Sequence, residues 1–154
     1  MFTIKIISIG NKQDKNLSIL VDNYSKKLGA QLVIKSIDLK PEKKFNSVKQ
    51  KKELEALRIN SNIDSSFVIA MDEKGKLFDS KEFASKIAKW KENFSGLIFV
   101  IGGADGLDKS ILNKANIILS FSRMTLPHQL IKLFLVEQIY RSSTILSNHP
   151  YHRE

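Results

Sequence analysis

The sequence predicts an α/β fold, a mostly parallel sheet with helices on both faces. Three observations lead there. Five short segments with strand character alternate along the chain with five segments of helical, 3.6-residue periodicity. One of those strands, GLIFVI at 96–101, carries no charge, so it reads as central and covered on both faces. No internal repeat, low-complexity tract or linker breaks the 154 residues, which predicts a single domain over 1–154.

The elements follow in order. FTIKIISI at 2–9 alternates apolar and polar positions and is closed by Gly10, so it is a strand. Over 14–28, Leu17, Leu20, Val21, Tyr24 and Leu28 fall on one helical face. Residues 31–38 form a second strand, followed by a lysine-rich, mobile connection at 39–46 that contains Pro41. Ser47 and Gln50 have capping-box spacing and open a helix to about residue 60. SFVIAM at 66–71 is a short buried strand, and 72–76, with Gly75, is a turn. Asp79 and Glu82 form another capping box, before a helix whose stripe is Phe83, Ile87, Trp90 and Phe94. After the central strand come a short helix near 107–114 and the strand 116–121. Pro127 sits in the first turn of a last helix running to about Ser143. The stretch 147–154 has Pro150 and no periodicity and reads as a tail.

Bulk properties narrow the function. With no cysteine the chain has neither disulfides nor thiolate metal sites. The opening residues have strand alternation where a signal peptide would have a charged n-region and an apolar h-region, and no segment approaches the ~20 apolar residues that span a bilayer. A cytoplasmic protein away from membranes is the expectation. The net charge is +9 and uneven: +7 over residues 1–60 and +2 over 61–154. Lys40, Lys43, Lys44, Lys49, Lys51 and Lys52 are opposed locally only by Glu42. Such a patch either attracts polyanions such as nucleic acid or is simply a solvated basic surface. His128, His149 and His152 have no zinc-site spacing, so no metal is expected.

In parallel sheets ligands bind beyond the carboxyl ends of the strands, which singles out the loops after residues 71, 101 and 121. Gly102, Gly103 and Gly106 follow the central strand; they permit close backbone approach to a ligand or make a plain tight turn. Their spacing is neither GxGxxG nor GxxxxGK[ST]. The loop Ser122-Arg123-Met124-Thr125-Leu126-Pro127-His128 is apolar enough to wall a flat heterocycle or to lie beneath another element. The last helix is apolar over more than one stripe, as expected for core packing or for a helix between subunits. The tail gathers His149, Tyr151, His152 and Arg153, either a frayed end or a set suited to RNA stacking and phosphate contact.

Taken together, Ile101-Gly102-Gly103-xx-Gly106-Leu107, Ser122-x-Met124-Thr125-Leu126-Pro127-His128, Glu137-Gln138-x-Tyr140-Arg141 and Tyr151-His152-Arg153 resemble one family over the whole chain. That family is the bacterial SPOUT-class methyltransferase that makes N3-methylpseudouridine in large-subunit (23S) ribosomal RNA. The resemblance implies a C-terminal trefoil knot, a homodimer, S-adenosyl-L-methionine as methyl donor and a pseudouridine of the assembled ribosome as acceptor. It implies donor contacts at Met71, Gly102, Gly103, Phe121, Ser122, Arg123, Met124, Thr125 and Leu126, with His128, Tyr151 and Arg153 as the residues assisting methyl transfer. Met71 departs from the more frequent leucine, a swap of similar volume. The competing expectation is a non-catalytic, ribosome-associated RNA-binding factor using the same basic face.

Overall fold

Every residue of the strand Gly96–Ile101 is buried, and this strand occupies the middle of the sheet. The computed structural model describes residues 1–11 and 14–153. Its strands are β1 (Phe2–Ile9), β2 (Leu32–Leu39), β3 (Phe67–Leu77), β4 (Gly96–Ile101) and β5 (Ile117–Ser120), and its helices are α1 (Lys15–Lys27), α2 (Val48–Asn60), α3 (Ser80–Asn93), α4 (Lys109–Lys114) and α5 (His128–Leu146). The sheet order is β2-β1-β4-β3-β5 and every recorded pairing is parallel.

Alternation along the strands divides the core. Ile4, Ile6, Leu97, Phe99 and Ile101 face one side, where Val21 of α1, Phe83, Ile87 and Trp90 of α3, and Leu135, Val136 and Ile139 of α5 pack on them. Ile7, Ile9, Ile98 and Val100 face the other, against Ala56 and Ile59 of α2 and Ile111 of α4. Burying each large aliphatic or aromatic side chain contributes roughly 1.5–3 kcal/mol, so β4, apolar on both faces, anchors both layers. After β1 the chain moves toward β2, whereas after β4 it moves toward β5. The topological switch therefore lies between β1 and β4, at Gly10 and Gly102, where an open α/β sheet forms its crevice.

Side-chain caps start the helices where the sequence places them. Asp14 accepts from the N–H groups of Asn16 and Leu17, and Ser47 from that of Gln50, whose own side chain takes the Asn46 N–H, so only half of that expected capping box forms. Asp79 and Glu82 exchange both bonds of a capping box at 2.8 Å each. Three expectations are corrected. Residues 72–76 are no simple turn, because β3 runs on to Leu77 through an irregularity between Met71 and Lys76 and rejoins β5. The local turn chemistry is real, since the Lys74 N–H donates to Asp72 at 2.8 Å, but Gly75 lets the strand pass against β5, where a Cβ would lie 2.7 Å from the Ile118 carbonyl carbon. The connection at 39–46 is fastened to α2, with the Glu42 N–H donating to buried Glu55 at 2.9 Å and Arg58 donating to the Lys40 carbonyl. Finally, α5 continues to Leu146, and the segment beyond it folds back. Asn148 takes a left-handed φ of 57° and the His149 N–H returns to the Thr144 carbonyl at 2.9 Å, the hydrogen bonding of a Schellman-type stop.

Candidate active site

A cleft of about 610 Å³ opens beyond the carboxyl ends of β3, β4 and β5. Its floor is made by Met71 and Ile101, and its walls by the glycine turn after β4, the loop after β5, and His128 and Ile131 of α5. Of the nine residues expected to meet the donor, Met71, Gly102, Phe121, Ser122, Met124, Thr125 and Leu126 line this cleft. Gly103 and Arg123 do not. Gly103 supports the turn from behind, where a Cβ would stand 3.2 Å from Ile9 Cγ2, and its carbonyl accepts from the Gly106 N–H at 3.0 Å. Arg123 points back to β3, donating to the Glu73 carbonyl.

The glycine turn is closed by backbone proximity. A Cβ on Gly102 would approach the Gly106 carbonyl carbon to 2.8 Å, and Gly106 itself has φ of 80°, a conformation L side chains rarely adopt. The facing loop is pinned by its own hydroxyls. Ser122 N–H donates to Ser120 Oγ at 3.2 Å, Met124 N–H to Ser122 Oγ at 2.9 Å, and Thr125 Oγ1 to Glu73 Oε2 at 2.8 Å. Glu73 is thus an anchor for the loop that the sequence had left inside a turn. At the rim, Asp105 pairs with Lys51 at 2.7 Å, which raises the Lys51 pKa through that hydrogen bond and removes Lys51 from the free basic patch.

His128 forms the wall on the α5 side and is half-buried. Gly10 makes room for its ring, since a Cβ there would stand 1.9 Å from Nε2. Burial pushes the imidazole below its ordinary value; Asp38 opposes that shift and Lys132 adds to it. A neutral ring at neutral pH can accept a proton or orient an acceptor base.

Tyr151 and Arg153 lie outside the cleft. The Tyr151 hydroxyl donates to Glu137 Oε1 at 3.0 Å, its ring meets Tyr140 edge-on at 4.8 Å, and the Arg141 guanidinium lies 4.8 Å from the ring centre. Glu137 receives Arg141 in two bonds, at 3.0 and 2.7 Å, and Arg141 reaches His152 Nδ1 at 3.1 Å. Two motifs separated in sequence are one cluster in space. Tyr140 is twelve residues beyond His128, about 18 Å along the helix axis, so one chain's tail and His128 do not meet. Burial raises the Tyr151 pKa, with Tyr24 and Glu137 adding to the shift, so its phenol stays protonated as a donor. Among the described residues no group of three or more His, Cys, Asp and Glu is placed to hold a metal, and no helix is long and apolar enough to cross a membrane.

Comparison with known proteins places the chain in a family. The family described as predicted SPOUT methyltransferase matches residues 2–152. This chain belongs to the SPOUT methyltransferase family. It is 42% identical over 152 residues to the ribosomal RNA large subunit methyltransferase H of Acholeplasma laidlawii, covering 97% of this chain and 99% of that protein. It is 36% identical over 154 residues to the same-named protein of Chromobacterium violaceum, covering 98% and 99% respectively. Against the Streptococcus pneumoniae protein of that name it is 42% identical over 157 residues, with 97% and 99% covered. Among solved structures, a probable methylase family protein from Haemophilus influenzae superposes with a TM-score of 0.56 at 18% identity, covering 98% of this chain and 70% of that one; the likeness is one of fold. Within that fold, the cleft lies on the loops after the strands that the sequence singled out.

Proposed function

We propose that this protein transfers a methyl group from S-adenosyl-L-methionine to the N3 of a pseudouridine in 23S ribosomal RNA, acting in the cytoplasm as a single-domain, homodimeric enzyme on the assembled ribosome. The observation that carries this reading is the cleft at the carboxyl ends of β3–β5, shaped by Gly102 and the hydroxyl-pinned loop, in a chain whose relatives are named large-subunit rRNA methyltransferases. Membership of the SPOUT family supports a trefoil knot in the C-terminal part of the chain.

The residues present suit the donor. The cleft combines an apolar floor, Met71 and Ile101, with a turn on which a side chain would collide, and it leaves backbone groups to meet a heterocycle. Met71, Gly102 and the run Phe121–Leu126 would hold it. When bound, the donor would supply an activated methyl on a sulfonium, whose sulfur–methyl bond breaks on transfer to leave the neutral thioether. The protein supplies positioning, which in such reactions accounts for much of the rate. His128, neutral and on the wall, orients the acceptor base and relays the N3 proton toward solvent as the N3–methyl bond forms. Arg153, exposed, favours the developing negative charge, and Tyr151, held by Glu137 and Tyr140, flanks the target nucleotide. The tail packs on the far part of its own α5, and in this reading a second subunit brings a tail to each cleft. The apolar surface formed by Phe78, Phe121 and Phe134, with Phe134 42% exposed, supports that pairing.

Calorimetric titration with S-adenosyl-L-methionine and with its demethylated product tests the reading. The enzyme gives a saturable heat with each. No heat with either would establish the alternative, a non-catalytic RNA-binding factor of the ribosome.

A further inference from the structure

A second cavity, about 320 Å³, opens at the carboxyl ends of β1 and β2, and neither the donor cleft nor the tail accounts for it. Ser8, Gly10, Asp38, Lys40, His128 and Lys132 are among the residues that line it. One oxygen of Asp38 is saturated: Ser8 Oγ donates to Oδ1 at 2.9 Å and Lys132 Nζ donates to it at 2.7 Å. The Lys132 side chain is 3% exposed and that of Asp38 56%. Burying an ammonium is costly, and pairing it rarely yields more stability than an apolar side chain packed in its place. What the pair does yield is a carboxylate locked in one orientation, with its second oxygen available to an incoming donor.

The shape and chemistry of the pocket restrict its occupant. Ligand pockets span roughly 300–1,000 Å³, so this one suits a single ring better than a whole dinucleotide-sized cofactor. A carboxylate on the wall disfavours a phosphate. A ring carrying an N–H fits, with the carboxylate as acceptor. His128 lines both cavities, so a ring held here lies beside whatever fills the donor cleft.

We propose that this pocket receives the acceptor base and that Asp38, held by Ser8 and Lys132, determines specificity by accepting a hydrogen bond from a ring N–H. The inference rests on the function proposed above, in which the acceptor is pseudouridine. The donor is then N1–H, which uridine lacks because its N1 carries the glycosidic bond. N1 and N3 flank the same ring carbon, so fixing N1 also fixes the direction of N3.

Asp38→Asn tests this with little change of shape. Ser8 and Lys132 both donate, so they hold the amide oxygen and turn the amide NH2, a donor, toward the pocket. Single-turnover methyl transfer and RNA affinity are measured on ribosomes carrying either pseudouridine or uridine at the target position. The wild type favours pseudouridine. Asp38→Asn loses about tenfold or more on pseudouridine and stays within about threefold of wild type on uridine, with unchanged S-adenosyl-L-methionine affinity. Ser8→Ala, which leaves the charge pair intact, shifts the preference in the same direction by less. A variant that keeps the wild-type preference, or loses both substrates alike, overturns the role of Asp38, as does a wild type that accepts both RNAs equally. A wild type that binds no donor or methylates neither ribosome overturns the underlying functional reading instead.

Discussion

At Gly102 the steric demand of the turn meets the proposed donor contact. Its missing side chain leaves room for the Gly106 carbonyl carbon, which a Cβ would approach to 2.8 Å, and it keeps the cleft wall flat. Gly102→Ala is expected to retain the fold while donor affinity falls at least tenfold, about 1.4 kcal/mol, in a calorimetric titration. His128 gives a second residue-scale prediction. Its folded-state pKa lies below the ordinary 6.5, so the unfolded chain binds the proton more readily, and the contribution to stability is lost as pH falls through and below that value. Turnover that needs the neutral ring should likewise show an acid limb below about pH 6.5. In His128→Gln that limb should be absent; an unchanged acid limb would assign it to another group. The sequence showed Gly102 and His128 through their motifs. It did not show Gly10 as the residue that admits the His128 ring, nor Asp38 and Lys132 as a pair. Those contacts join positions 118 and 94 residues apart, and only folding brings them together.

Among the elements, β4 and α3 were the most legible, one from its unbroken apolar run and the other from a capping box that forms as spelled. β3 was the least. Asp72, Glu73, Lys74 and Gly75 are turn-forming residues and do make a local turn bond, yet the pairing of Lys76 with Leu119 carries the strand onward. Local propensity was read correctly and was overridden by a neighbouring strand. The last helix shows a similar limit, since its broad apolar coverage is mostly satisfied within the chain: Leu135, Val136 and Ile139 are buried while Phe134 remains 42% exposed. Beyond it, Asn148 turns the chain so that Tyr151 packs on Tyr140 and Glu137. Deleting residues 148–154 should cost modest stability, because Glu137 and Arg141 stay paired with each other. Donor affinity should hold within a few-fold while single-turnover methyl transfer falls by orders of magnitude. Normal transfer by the truncated protein would reduce the tail to a packing element.

For the whole molecule, the separation of cleft and tail is the main structural fact. If each active site is completed by a partner's tail, the protein must associate, and the surface around Phe78, Phe121 and Phe134 is where it would do so. Sedimentation equilibrium at micromolar concentration should give twice the 17.5 kDa chain mass, and Phe134→Lys should shift the population toward the single chain. The parallel sheet with helices on both faces was legible from the alternation of periodicities. The pairing of Lys51 with Asp105 was not, and it changes how the basic face is drawn. Lys40, Lys43, Lys44 and Lys49 are exposed, whereas Lys51 braces the glycine turn. The exposed lysines therefore adjoin the cleft across a single ion pair.

Methyl transfer to the N3 of a pseudouridine in ribosomal RNA can be measured by incubating the protein with ribosomes carrying the target pseudouridine and S-adenosyl-L-methionine labelled in its methyl group, then digesting the RNA to nucleosides. Label is expected in the large-subunit RNA, recovered as a pseudouridine methylated at N3, and none with Gly102→Val. Ribosomes that stay unlabelled, or label recovered in any other nucleoside, would contradict it.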